Sequence, residues 1–237
     1  MKLLITGVSS GIGLGLTNYY LSKGYTVYGL SRRAPEKLNT LNNFHHLSID
    51  LSDIDNIKRN SLKFISLINS VDLVILNAGI LGEIDDLKNQ SIKEIQTVMD
   101  INVWSNKVLI DVLLNSIKSI KTIVAISSGA SINGSRGWGG YSLSKASLNM
   151  LVKLYASENE KTKFYSFAPG LVDTSMQDYL CSGKLDPKLF PASKKLIDAR
   201  NTDNMPSAEK AGPILAKAMS KLNEFQTGSF IDIRTMK

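Results

Sequence analysis

With 237 residues, 43% of them apolar and 21% charged, the chain has the composition of a soluble globular protein able to bury a substantial core, which excludes a disordered or low-complexity chain. Lys and Arg outnumber Asp and Glu by 28 to 21, giving a net charge of +7, but the cations are spread along the chain, so no nucleic-acid partner is expected. The opening apolar stretch, Leu3-Leu4-Ile5, is too short for a signal peptide or a membrane span. A lone Cys181 and the lack of Cys/His clusters at ligand spacing argue against a disulfide or a metal site, so a cytoplasmic location and no membrane partner are expected.

Short β-branched or apolar runs predict strands over Leu3–Thr6, Tyr25–Leu30, Phe44–Ile49, Val71–Leu76, Thr122–Ser127, Phe164–Ala168 and Ser229–Ile233. Between them lie segments with helical spacing, such as Ile12, Leu16, Tyr19 and Tyr20, or Ile92, Ile95, Val98 and Met99. Regular alternation of strand and helix predicts α/β architecture: one doubly wound Rossmann-type domain over residues 1–237, with a seven-stranded, mainly parallel sheet and helices on both faces. Residues 171–206 are polar, carry Pro187, Pro191 and Pro206, and break the rhythm, so they predict an excursion over the carboxyl edge of the sheet.

Three clusters carry chemistry. After the first predicted strand comes Thr6-Gly7-Val8-Ser9-Ser10-Gly11-Ile12-Gly13, a turn whose glycines let backbone approach a pyrophosphate at a helix N-terminus. At the end of the second strand, where NAD enzymes keep an acidic residue for the ribose hydroxyl, stands Ser31-Arg32-Arg33, suited to a 2′-phosphate; NADP(H) is therefore the expected cofactor. Tyr141 and Lys145 are four residues apart and share one helix face, so the ammonium, together with oxidised nicotinamide, is expected to draw the phenol pKa down and make it a proton donor. Ser128, 13 residues earlier at the end of the fifth strand, is placed to stabilise charge developing on a substrate oxygen; its neighbour Ser127 is the poorer candidate.

The spacing of the first turn resembles that of the short-chain dehydrogenase/reductase family, and the resemblance continues through Asp50-Leu51, Asn77-Ala78-Gly79, Asn102, Ser128, Tyr141 with Lys145, and Pro169-Gly170 with Thr174. It implies that Ser128, Tyr141, Lys145 and Asn102 are catalytic, with Lys145 also holding the nicotinamide ribose and Asn102 placed in the fourth helix, holding a water that links Lys145 to solvent. It further implies that Asp50 and Leu51 bracket the adenine, that Asn77 and Gly79 line the ribose side, and that Thr174 with the Val172 backbone holds the carboxamide. Each of the Asp, Asn and Gly residues alone could equally be turn chemistry. Pairing of two helices, over residues 92–118 and 142–157, is implied too, giving a homodimer or homotetramer.

The segments Ala168–Gln177 and Glu224–Asp232 resemble those of the sepiapterin reductase and benzil reductase subgroup, which implies NADPH-dependent reduction of an α-dicarbonyl or pterin-like ketone. On that reading Asp232 either anchors a pterin or is structural, Trp138 is either an aromatic wall or loop packing, and Met176, Tyr179, Leu180 and Leu189 close over a hydrophobic small-molecule ketone. Two alternatives are a 3-oxoacyl-carrier-protein reductase, against which the chain lacks a Gly-Gly pair after its last strand, and a non-catalytic NADP(H)-binding redox sensor. His45 and His46, adjacent on a strand, point to opposite faces and predict no joint metal site.

Overall fold

The structure, a computed structural model, describes residues 1–236. Seven strands, β1 (Lys2–Thr6), β2 (Thr26–Ser31), β3 (Phe44–Ser48), β4 (Ser70–Leu76), β5 (Ser119–Ile126), β6 (Lys163–Ala168) and β7 (Phe230–Asp232), form one sheet in the order β3-β2-β1-β4-β5-β6-β7. Every neighbouring pair is parallel, β6 with β7 included, so the sheet is wholly rather than mainly parallel. Both faces are covered, which is why Leu3, Leu4 and Ile5 on consecutive positions are all buried instead of alternating.

One face carries α1 (Gly11–Ser22) and α8 (Ala208–Met219), whose Leu16, Tyr20, Ala211 and Leu215 pack on Leu3, Ile5 and Phe167. The two helices cross at backbone contact: a Cβ on Gly15 would lie 2.0 Å from the Ala208 carbonyl oxygen, and one on Gly212 would lie 2.3 Å from that of Gly15. The other face carries α2 (Ile54–Ile65), α4 (Ser105–Ser116) and α5 (Gly139–Glu158), which bury Ile57, Leu109, Leu113, Leu148 and Val152 against Leu4, Val74 and Ile123.

Between α3 (Ile92–Met99) and α4 the chain makes one π-helical turn, Asp100–Trp104, and Asn102 sits in that turn instead of within a regular fourth helix. Such a bulge lets a side chain leave the regular helical ladder, and here it aims Asn102 inward. The predicted excursion contains two helices of its own, α6 (Ser175–Leu180) and α7 (Pro191–Ala199). Leu180, Leu185 and Phe190 of this segment pack on Leu81, Ile84 and Trp138, forming a small third core beyond the carboxyl ends of the strands.

Candidate active site

Strand order reverses between β1 and β4, and ligands of open α/β sheets bind in the crevice that such a reversal leaves at the carboxyl ends. A cavity of about 610 Å³ occupies that crevice and extends beneath α6 and α7. Its floor at the reversal is fixed by Thr6, which the sequence reading passed over: the buried Thr6 Oγ1 accepts from the backbone N–H groups of Asn77 (2.9 Å) and Ala78 (3.0 Å). The Asn77 side chain donates to the Thr6 carbonyl at 2.9 Å, so it ties β1 to β4 while its backbone lines the cavity.

The glycine turn forms one wall, through Gly7, Ser9, Ser10, Gly11 and Ile12. Gly7 and Gly11 have φ of 73° and 55°, the left-handed region that glycine adopts without strain. Gly13 does not line the cavity; a Cβ there would lie 2.2 Å from the Gly7 carbonyl oxygen, so this glycine lets α1 pack beneath the turn. Ser10 precedes α1 with no side-chain cap, leaving the first amides of the helix directed at the cavity, as a phosphate site requires.

At the far end of this wall Ser31, Arg32, Asp50 and Leu51 line the cavity and Arg33 does not. Ser31 is buried, donating to the Arg33 carbonyl at 2.8 Å with His46 Nε2 at 3.0 Å, so Arg32 is the cation of this cluster that faces the crevice. Hydrogen bonds from the Ser52 backbone and hydroxyl hold the Asp50 carboxyl below its ordinary range, and the charge of Arg32 adds to the effect. Gly79, Pro169, Gly170, Val172 and Thr174 complete this wall. Gln177, also missed, lines it with a buried Oε1 that has no hydrogen-bond partner.

The catalytic candidates meet at the other end. Helix α5 is started by Gln90, whose Oε1 accepts from the Gly140 N–H at 2.9 Å and whose amide donates to the carbonyls of Glu83, Asp85 and Gly137. No local motif announces this cap, because Gln90 lies 50 residues upstream of the helix it starts. Ser127 also lines the cavity, but its hydroxyl is committed to Asn149, donating to Oδ1 at 2.7 Å, and Asn149 in turn donates to Ser131 at 2.8 Å, fixing the turn that follows Ser128. Ser128 faces the cavity, and its hydroxyl is hydrogen-bonded to the Tyr141 phenol.

Lys145 is buried, with Nζ 2.7 Å from the Ile126 carbonyl oxygen and 5.6 Å from the centre of the Tyr141 ring. Burial lowers its pKa to about 8 from the ordinary 10.5. Burial pushes the Tyr141 phenol up, and the hydrogen bond with Ser128 pulls it only partway back. The lowering is expected of Lys145 together with oxidised nicotinamide; in the protein by itself the ammonium is turned to the Ile126 carbonyl and desolvation dominates the phenol. Asn102 does not line the cavity: its Oδ1 accepts from Ile80 N, and its Nδ2 donates to Ile80 O and to Ser144, all within 2.9 Å, while its carbonyl accepts from Asn106 at 2.8 Å.

Trp138 is both wall and packing, buried in the third core and lining the cavity along with Met176 and Leu180; Tyr179 and Leu189 are not in the lining. Asp232 is not in the lining either. Its carboxylate takes a paired contact from Arg234, Nε at 2.9 Å and Nη2 at 2.5 Å, and this guanidinium holds the carboxyl below its usual range. Among the described residues no group of three His, Cys, Asp or Glu is arranged to hold a metal, and no helix is long and apolar enough to cross a membrane.

A doubly wound parallel sheet, a glycine turn at its reversal and a Ser-Tyr-Lys group in the same crevice define a Rossmann-type oxidoreductase. Comparison with known proteins agrees: the sequence profile described as short chain dehydrogenase matches residues 2–184, and the chain belongs to that family. It is 30% identical to a benzil reductase ((S)-benzoin forming) of Bacillus cereus, over 97% of this chain and 98% of that one. It is 31% identical to the sepiapterin reductase of Rattus norvegicus, over 68% of this chain and 62% of that one. Among solved structures, ElxO with NADP bound superposes with a TM-score of 0.79 over 98% of this chain and 96% of that one, at 21% identity.

Proposed function

We propose that the protein is an NADPH-dependent carbonyl reductase acting on an α-dicarbonyl or related ketone. The observation that carries this reading is the convergence of Ser128, Tyr141 and Lys145 in the cavity whose other end is the glycine turn. Oxidoreductase activity follows from the family; the direction, the cofactor and the substrate are our own reading of the site. Arg32, facing the crevice where an NAD enzyme keeps an acid, favours the 2′-phosphate of NADP(H), and the uncapped amides of α1 and the Cβ-free turn fit a pyrophosphate. Bound NADPH supplies the hydride.

The chain's own residues then manage a single proton. Ser128 and Tyr141 direct their hydroxyls at the substrate carbonyl oxygen, and burial keeps the phenol protonated, ready to donate as the carbon–oxygen double bond opens. The phenolate left behind lies beside the buried ammonium of Lys145. In a dry site that ammonium stabilises the developing negative charge far more than it would in water. Of the two substrate classes the α-dicarbonyl is favoured over the pterin, because the carboxylate that would anchor a pterin is already held by Arg234. The exposed Trp104 on the turn leading into α4, with Leu143, Met150 and Leu154 of α5, supports assembly with a second copy through these helices.

The test is NADPH oxidation with 1-phenyl-1,2-propanedione. The wild type consumes NADPH, and Tyr141→Phe loses about a thousandfold or more in kcat while its NADPH affinity stays within a few-fold. Turnover that survives the substitution would refute Tyr141 as the proton donor.

A further inference from the structure

The lining of the substrate end includes two cations, and the one acid close to them, Asp232, is paired with Arg234 and is not part of the lining. Arg234 and Lys195 line it, whereas the cavity's carboxylate, Asp50, belongs to the nucleotide end beside Arg32. Lys195 is placed at the substrate end by its neighbours on α7: Ala192 and Leu196 line the same wall and pack in the core that includes Tyr141, Met176 and Trp138. Arg234 comes from the opposite side, on the turn after β7, and reaches over the residue that follows Ser128. A Cβ on Gly129 would lie 2.8 Å from Arg234 Nη2 and 3.6 Å from the Asn133 side-chain nitrogen, and Asn133 lines the cavity as well.

Asp232 determines how this guanidinium is presented. Its carboxylate grips Nε and Nη2, leaving Nη1 and the remaining Nη2 hydrogen unused by that pair. The Arg234 side chain is 61% exposed and the Asp232 side chain 10%, so the cation and not the anion is offered to a ligand. A guanidinium held by a buried carboxylate is already oriented, so a ligand that meets it does not bear the cost of ordering a long side chain. Polar donors gathered beside Ser128 call for an acceptor-rich group next to the reacting carbonyl, and cations from two sides call for that group to be charged.

We infer that the substrate is a ketone bearing a carboxylate one or two carbons from the reacting carbonyl, with Arg234 and Lys195 as its carboxylate receptors and Asp232 as the positioning residue for Arg234. This rests on the carbonyl-reductase reading above and narrows its class, an α-dicarbonyl or related ketone, to a 2-oxo or 3-oxo acid. Benzoylformate and its methyl ester are the probes, since they share the reacting ketone and differ in charge.

The reading is the acid-to-ester ratio of kcat/KM, compared between the wild type, Lys195→Met and the double variant Asp232→Asn with Arg234→Met. The double change leaves no buried carboxylate without its partner, and Lys195 is an exposed position on α7 whose replacement does not disturb the core. The ratio is expected to fall at least tenfold in the double variant and about threefold in Lys195→Met. A ratio unmoved in both variants overturns the inference, as does a wild type that reduces the ester and 1-phenyl-1,2-propanedione but not the acid; in both cases the carbonyl-reductase reading survives. If no ketone of the set is reduced, that reading fails and takes the inference with it.

Discussion

The two ends of the cavity are built from different materials. The end proposed for the nucleotide is mostly backbone: a glycine turn, the uncapped start of α1, and the ends of β1 and β4, which Thr6 and Asn77 tie together. The substrate end is mostly side chains gathered from distant points: Trp138 before α5, Met176 on α6, Lys195 on α7 and Arg234 after β7. Backbone recognition of a phosphate constrains local sequence tightly, whereas a side-chain pocket is specified only by the tertiary fold. A family can therefore keep one end and vary the other.

The largest effect that would break this division, beyond the loss predicted for Tyr141→Phe, belongs to Lys145, which stands where the two ends meet. Lys145→Met is expected to lower kcat by about two orders of magnitude, the usual cost of removing one stabiliser of developing negative charge. With the wild type, kcat/KM for reduction should fall above about pH 8, where the buried ammonium loses its proton. Stability runs the other way. The unfolded lysine keeps its proton to about 10.5 and the folded one releases it at about 8, so the unfolded state binds more protons in that window and stability rises with pH across it. Denaturant titrations at pH 7.5 and 10 should show the wild type gaining on Lys145→Met by up to roughly 3 kcal/mol.

A smaller effect sharpens the nucleotide end. Arg32→Ala should reduce the preference for NADPH over NADH by about tenfold or more, the worth of a charge-assisted hydrogen bond, while Arg33→Ala should change it less than about twofold. Equal effects of the two substitutions would show that the side-chain assignment at this corner is wrong.

These assignments also show what the sequence made legible. All seven strands were readable because a two-sided parallel sheet demands continuous apolar runs, and Leu3–Thr6 and Val71–Leu76 are of that kind. Gly7, Gly11, Tyr141 and Lys145 could be picked out as cavity residues because the motifs that hold them are local. Gln90 was not, because it caps a helix 50 positions away, nor was Arg234, whose partner Asp232 is adjacent but whose target, Gly129, is on another strand end. Asp232 itself was seen without its partner, which left open whether it met ligand or protein. The upward shift of the Tyr141 phenol in the protein by itself was not readable for a related reason: spacing reveals a neighbouring charge, but desolvation depends on everything packed around the phenol.

The most direct measurement is a crystal structure of the protein with NADP⁺ and benzoylformate. The account predicts the pyrophosphate on the amides of the first turn, with the nicotinamide ring reaching the Tyr141 hydroxyl and the ketone oxygen between Tyr141 and Ser128. A dinucleotide bound away from that turn, or a nicotinamide ring out of reach of Tyr141, would contradict it.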